Sequence, residues 1–187
     1  EIPLSKKLKT KATKDNLAQT AAEIERIAEG FLSYEVLTML LFKTVMDYYS
    51  QGRELVAVKV ASKIGSRIED ECRFAYYERQ FNEQDTRTIN KWVSRPGANP
   101  RNRRDSVLHI SNTIADSSDI TRFTAWNGSR KARIGLFLLE MCAELGLIRF
   151  TNHRRNGKQQ KLLSFADTHI QSRFTEYADM FLEGAHL

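Results

Sequence analysis

The chain has 187 residues, 41% of them hydrophobic, and a formal net charge of +6, with a sequence pI near 9.4. That length suits one sizeable domain, or a domain with a flexible arm. No apolar run reaches the roughly 18 to 20 residues of a membrane span, so composition argues against both a membrane-embedded and a wholly disordered chain. The basic excess favours an anionic partner, most simply nucleic acid.

The chain begins Glu1-Ile2-Pro3 without an initiating Met, and is read as a processed or trimmed piece of a longer polypeptide. Residues 1–14 hold Lys6, Lys7, Lys9, Lys11 and Lys14 with little apolar interleaving, the pattern of a basic flexible arm. Residues 15–187 are expected to form the folded domain. Asp15 or Asn16 can cap a first helix carrying Leu17, Ala21, Ile24, Ala28 and Phe31. Ser33 then opens a helix from Tyr34 to Ser50, whose Val36, Leu37, Leu40, Leu41, Thr44 and Val45 form a broad core face and whose stop is Gly52.

A long helical pattern runs from about Glu54 to Phe81. It lines up Val60, Ile64, Ile68 and Cys72, continues in Phe74, Tyr77 and Phe81, and spaces Glu69 and Arg73 for an (i, i+4) ion pair. Gly65 inside it costs up to about 1 kcal/mol relative to Ala, which points to the close approach of another helix. A short helix from Asp85 to Val93 ends before Arg95-Pro96-Gly97-Ala98-Asn99-Pro100, the clearest break in the chain. Arg101, Arg103 and Arg104 follow, either gripping phosphates or opening an exposed basic helix. Val107, Ile110, Ile114 and Ala115 mark that next helix.

Ser129 is expected to cap a helix from Arg130 to Leu145 that turns Ile134, Phe137, Leu138, Met141 and Leu145 inward and ends at Gly146. The period then changes to that of strands. Leu147–Thr151 and Lys161–Phe165 flank residues 152–160, which contain the turn signal Asn156-Gly157, so residues 147–165 read as a β-hairpin. From Arg149 to Lys161 it carries Arg149, Arg154, Arg155, Lys158 and Lys161 and no carboxylate. Such a hairpin repels itself in isolation and gains most from a polyanion. Asp167 caps a last helix with Ile170, Phe174, Tyr177 and Phe181 on its inner side.

Cys72 and Cys142, 70 positions apart within apolar patterns, suit buried thiols rather than a disulfide framework. His109, His153, His169 and His186 show no metal-ligand spacing.

The segment Ala61-x-x-Ile64-Gly65-x-x-Ile68-Glu69-Asp70-Glu71-x-Arg73-Phe74 resembles one in the N-terminal domain of bacteriophage-type single-subunit RNA polymerases. Further pieces stand in that family's order: the apolar helix before the motif, Trp126 ahead of Arg133-Ile134-Gly135, the Leu139-Glu140-Met141 helix, and the hairpin after Gly146. The resemblance covers roughly Ser33 to Gly184. It implies a mainly α-helical fold with one protruding β-hairpin, and a domain or separate subunit that contacts upstream promoter DNA and wedges the hairpin at the edge of the melted bubble. The DNA-binding residues would then be Arg149, His153, Arg154, Arg155, Asn156, Lys158 and Lys161, with Arg101, Arg103 and Arg104 beside them. The family's wedge has an apolar tip and this one is polar, so His153 or an Arg plane would stack on the exposed base pair.

Partners implied by the resemblance are promoter DNA, nascent RNA and a catalytic polymerase domain or subunit, in the cytoplasm of an infected bacterial host if the protein is phage-encoded. Mg2+ is expected for the complete polymerase and no cofactor for this chain. Two-metal nucleotidyl transfer needs converging carboxylates, and here Glu69, Asp70 and Glu71 sit on consecutive helix positions about 100° apart, while no Asp-Gly or His-Asp pair occurs. No catalytic residue is therefore assigned. Two other readings stay open. A stand-alone winged-helix transcription factor would open its recognition helix with Ser129, Arg130, Lys131 and Arg133, and a helical scaffold would use the basic hairpin only for solubility or for an acidic protein partner.

Overall fold

The computed structural model describes residues 14–85, 87, 107, 120–167, 169, 171–173 and 176. The fold is mainly α, with a two-stranded antiparallel hairpin. Its elements are α1 (Lys14–Gly30), α2 (Tyr34–Ser50), α3 (Ala57–Glu83), α4 (Gly128–Glu144), β1 (Ile148–Arg155) and β2 (Lys158–Phe165). Two compact units result. One comprises Glu1–Ile68 with Trp126–Leu187, the other Glu69–Ala125, and the boundary falls inside α3. Among the described residues no helix is long and apolar enough to cross a membrane.

In the first unit the helix ends follow local chemistry. The Val36 N–H donates to Ser33 Oγ at 3.3 Å, capping α2, and Gly52 and Gly146 take φ of +65° and +77° where α2 and α4 stop. The cap of α4 differs from expectation. Asn127, not Ser129, accepts from the Arg130 N–H at 2.8 Å, so the helix begins at Gly128. At the other end of the chain α1 starts at Lys14, which places Asp15 and Asn16 inside the helix. Phe31 is 37% exposed, and Ile24, Ile27 and Leu32 supply the buried positions there.

Val60, Ile64 and Ile68 are fully buried, as are Leu139 and Ile134 of α4. Gly65 explains how the two helices meet. A Cβ there would overlap the Lys131 backbone, and one on Gly135 would overlap the Ala61 backbone, so α3 and α4 cross with main chain against main chain. Beside this crossing, Arg67 ties α3 to α2, donating to Asp47 Oδ2 at 2.6 Å and to Thr44 Oγ1 at 2.9 Å.

Glu54, Leu55 and Val56 do not join α3. Val56 forms an antiparallel bridge with Leu162, and the Leu163 N–H donates to the Leu55 carbonyl at 2.8 Å, so the chain runs extended along the β2 edge before the helix starts. The Gln171 N–H donates to the Asp167 carbonyl at 3.3 Å, and residues 169, 171–173 and 176 are helical. Ile170, Phe174, Tyr177 and Phe181 lie outside the described residues, as do Lys6, Lys7, Lys9, Lys11, Ile110, Ile114 and Ala115.

The second unit has its own small core. Tyr77, Phe81, Val107 and Ile120 are buried together, with Phe74, Tyr76 and Phe123 packed against them. Gln80 clips a neighbouring strand of chain by donating to the Thr121 carbonyl at 2.9 Å and accepting from its N–H at 2.7 Å. Arg73 pairs with Asp70 at 3.1 Å, while Glu69, the partner expected for it, is only 6% exposed. Both cysteines are free and buried.

Candidate nucleic-acid interface

Asn156 and Gly157 adopt φ of +50° and +76°, the left-handed pair of a two-residue type I′ turn, whose twist matches that of the flanking strands. The strands therefore run right up to the turn instead of leaving residues 152–160 as a loop. Arg155 faces Lys158, Arg154 faces Gln159, His153 faces Gln160 and Asn152 faces Lys161, continuing to Ile148 opposite Phe165. Residues 151–159 are all exposed, and from Thr151 to the turn the ribbon extends about 13 Å at 3.3 Å per residue.

Directly opposed residues share a face. One face starts apolar, with Ile148 and Leu163 buried and Phe165 edge-on to Tyr49 at 5.4 Å between ring centroids. It becomes polar at Asn152, where Lys161 lies 5.7 Å from the Phe150 ring centroid, and ends in Arg154 and Gln159. The other face carries Arg149, Thr151, His153 and Arg155 against Ser164, Leu162, Gln160 and Lys158. The tip thus presents Arg154 on one face and Arg155 with Lys158 on the other. His153 stands two positions back from the last strand pair, about 7 Å from the turn. Arg149 sits at the foot, about 20 Å from Arg155 along the strand.

One of these cations has a partner that its neighbours in sequence do not supply. Arg155 Nη1 donates to Glu54 Oε2 at 2.7 Å, across 101 positions of sequence. Among the described residues Arg149, Arg154, Lys158 and Lys161 make no ion pair. Arg101, Arg103 and Arg104 lie outside the described residues.

The start of α4, the other basic stretch, is differently placed. Arg130 Nε and Arg133 Nη2 lie 2.7 Å from the two oxygens of Glu23, an ion-pair clamp in which neither contact is aligned as a hydrogen bond. Arg133 also donates to Thr20 Oγ1 at 2.6 Å, and Arg130 stacks 4.5 Å from the ring centroid of buried Trp126. From Arg130 to Ala143 no residue of α4 is exposed. These contacts hold α1 on α4 and engage Arg130 and Arg133, two of the residues a recognition helix would offer to a groove.

Glu69 is buried, while Asp70 is exposed and paired with Arg73. Among the described residues no three His, Cys, Asp or Glu side chains converge to hold a metal ion. No family model matches the chain, and neither does any curated protein sequence.

Proposed function

We propose that this chain is a promoter-engaging domain or subunit of a single-subunit-type DNA-directed RNA polymerase, and that its hairpin supports strand separation at the upstream edge of the bubble. The observation that carries the reading is the tip: a tight two-residue turn that has, among the described residues, a cation without an ion pair on each face of the ribbon, Arg154 on one and Lys158 on the other. A ribbon resting on one strand of DNA uses one face. A ribbon between two parting strands meets phosphates on both sides, and cations there offset the few kcal/mol needed to unstack a base step. The ordered sequence pieces from Ser33 to Gly184 support the same reading. On it, nucleotidyl transfer and its Mg2+ belong to a catalytic polymerase domain or subunit, and promoter DNA and nascent RNA are the nucleic-acid partners, in the cytoplasm of the host cell.

The winged-helix reading has one observation in its favour, the bridge of Val56 to Leu162, which sets a short extended segment beside the hairpin. The buried flank of α4 weighs against it. The test compares binding to a forked oligonucleotide and to plain duplex by fluorescence anisotropy, for wild type and for Arg154→Ala/Arg155→Ala/Lys158→Ala. We expect wild type to prefer the fork and the triple variant to lose that preference. In the assembled polymerase the same variant should transcribe poorly from closed duplex promoters and normally from pre-melted templates. Equal loss on both templates overturns the wedge role. Wild-type preference for plain duplex favours the winged helix, and unchanged DNA binding in the triple variant favours the scaffold.

A further inference from the structure

The Arg155 contact has a consequence for how the hairpin meets nucleic acid. Glu54 is not a side chain that happens to drift near the ribbon. Its segment is pinned along the β2 edge by the Val56–Leu162 bridge and by the Leu163 N–H on the Leu55 carbonyl, with Val56 buried. Leu163 faces Phe150, five positions below Arg155, so a guanidinium that reaches Glu54 is drawn back from the turn toward the foot. Arg154 and Lys158 have no such partner among the described residues.

The pair is also easy to exchange. The Arg155 and Glu54 side chains are 60% and 40% exposed, and a single N–H donates to a single oxygen. A guanidinium has five donors in a fork that fits a phosphate bidentately, so a phosphate can offer more than the carboxylate does. Exposed pairs of this kind hold weakly against solvent and salt.

We propose that Glu54 is an internal competitor for nucleic-acid phosphate: it holds Arg155 off the hairpin tip, and a phosphate at the tip has to displace it. Glu54 is then a positioning residue that sets the affinity of the hairpin without touching nucleic acid. The inference rests on the hairpin being the nucleic-acid-binding element.

The experiment is a double-mutant cycle, read as dissociation constants for a fluorescein-labelled forked DNA at fixed salt. It uses wild type, Glu54→Gln, Arg155→Ala and the double variant, with Arg154→Ala/Lys158→Ala as a control. Glu54→Gln keeps the shape and removes the charge. It should tighten binding two- to fivefold, the upper figure being about 1 kcal/mol at 1.4 kcal/mol per decade, and the gain should vanish in the Arg155→Ala background. A pair that merely steadied the ribbon would make Glu54→Gln neutral or weaker in binding, and that result overturns the proposal. So does an equal gain in the Arg155→Ala background, which would mean that Glu54 acts through the general field. The control separates the two levels. If it weakens binding while Glu54→Gln does nothing, the hairpin reading stands and only the competitor role falls. If it leaves binding unchanged, the hairpin reading falls and takes the competitor role with it.

Discussion

Gly65→Ala tests the packing on which the hairpin's platform rests. A Cβ built on Gly65 lies 2.6 Å from Lys131 Cα and still closer to its carbonyl, and one on Gly135 lies 2.8 Å from Ala61 Cα. The obstacle is backbone in both cases, so no side chain can swing away. The helices must part by about 1 Å, and gaps of 0.5–1 Å forfeit a quarter to a half of each dispersion contact along the seam. The residues beside that seam, Ile64, Ile68 and Ile134, are fully buried. Overpacking of this kind costs about 3 kcal/mol, at the top of its usual range, and the better helix propensity of Ala returns about 1 kcal/mol. The net loss is about 2 kcal/mol, or a fall in Tm of about 4–8 °C for a chain of this length. Urea unfolding followed by circular dichroism measures it, with Gly30→Ala as the control, because a Cβ there meets nothing within 4 Å. Gly65→Ala at or above wild-type stability would mean that α3 and α4 do not touch through their backbones.

Two further perturbations follow from buried groups. Glu23 has a side chain 11% exposed between Arg130 and Arg133, each 36% exposed, so Glu23→Gln should cost about 1–2 kcal/mol in urea unfolding, below the figure for a fully buried pair because the guanidinium ends reach solvent. An unchanged midpoint would refute the clamp. Burial pushes the Cys142 thiol from 9.0 up to about 12. The unfolded chain then loses that proton first, so stability should fall as pH rises from about 9 to about 12, by about 1.4 kcal/mol per unit. Cys142→Ala should flatten that alkaline limb, and identical slopes in the two proteins would show that the thiol titrates alike in both states.

The features legible in the sequence are those decided within a few residues. Ser33 caps α2, Gly52 and Gly146 stop helices with positive φ, and Asn156-Gly157 turns the ribbon. Gly65 was legible too, because a helix-breaking residue in a strongly periodic helix needs a neighbour to justify it, although the sequence alone does not name Lys131. The sequence locates the hairpin, and the strands extend further than their apolar pattern shows. Beyond Thr151 both faces are solvated, so the apolar alternation that marks a strand disappears while the I′ turn still sets the register. Residues 54–56 follow the helical period of their neighbours, yet pairing with β2 overrides it, a tertiary contact that propensity cannot contain. Asn127 and Ser129 are both competent caps, and only the observed start of α4 decides between them. The Glu23 clamp and the Glu54–Arg155 pair join residues more than a hundred positions apart, and no local pattern signals either.

Among the described residues those two long-range pairs separate engaged cations from unengaged ones. A cation already matched to a carboxylate contributes little to holding a polyanion, because binding must first break the match. Arg130 and Arg133, the arginines that a recognition helix would need, are matched to Glu23, and Arg67 is matched to Asp47 across α3 and α2. On the hairpin the balance is reversed: five cations stand between Ile148 and Phe165 with no carboxylate of their own, and among the described residues one carboxylate, Glu54, reaches them from outside the ribbon. A wing that only rests on phosphate would be served by cations along one face. Charge placed on both faces around a two-residue turn suits an element that enters between strands, and among the described residues the ion pair on it falls on Arg155, one of the two residues that flank the turn.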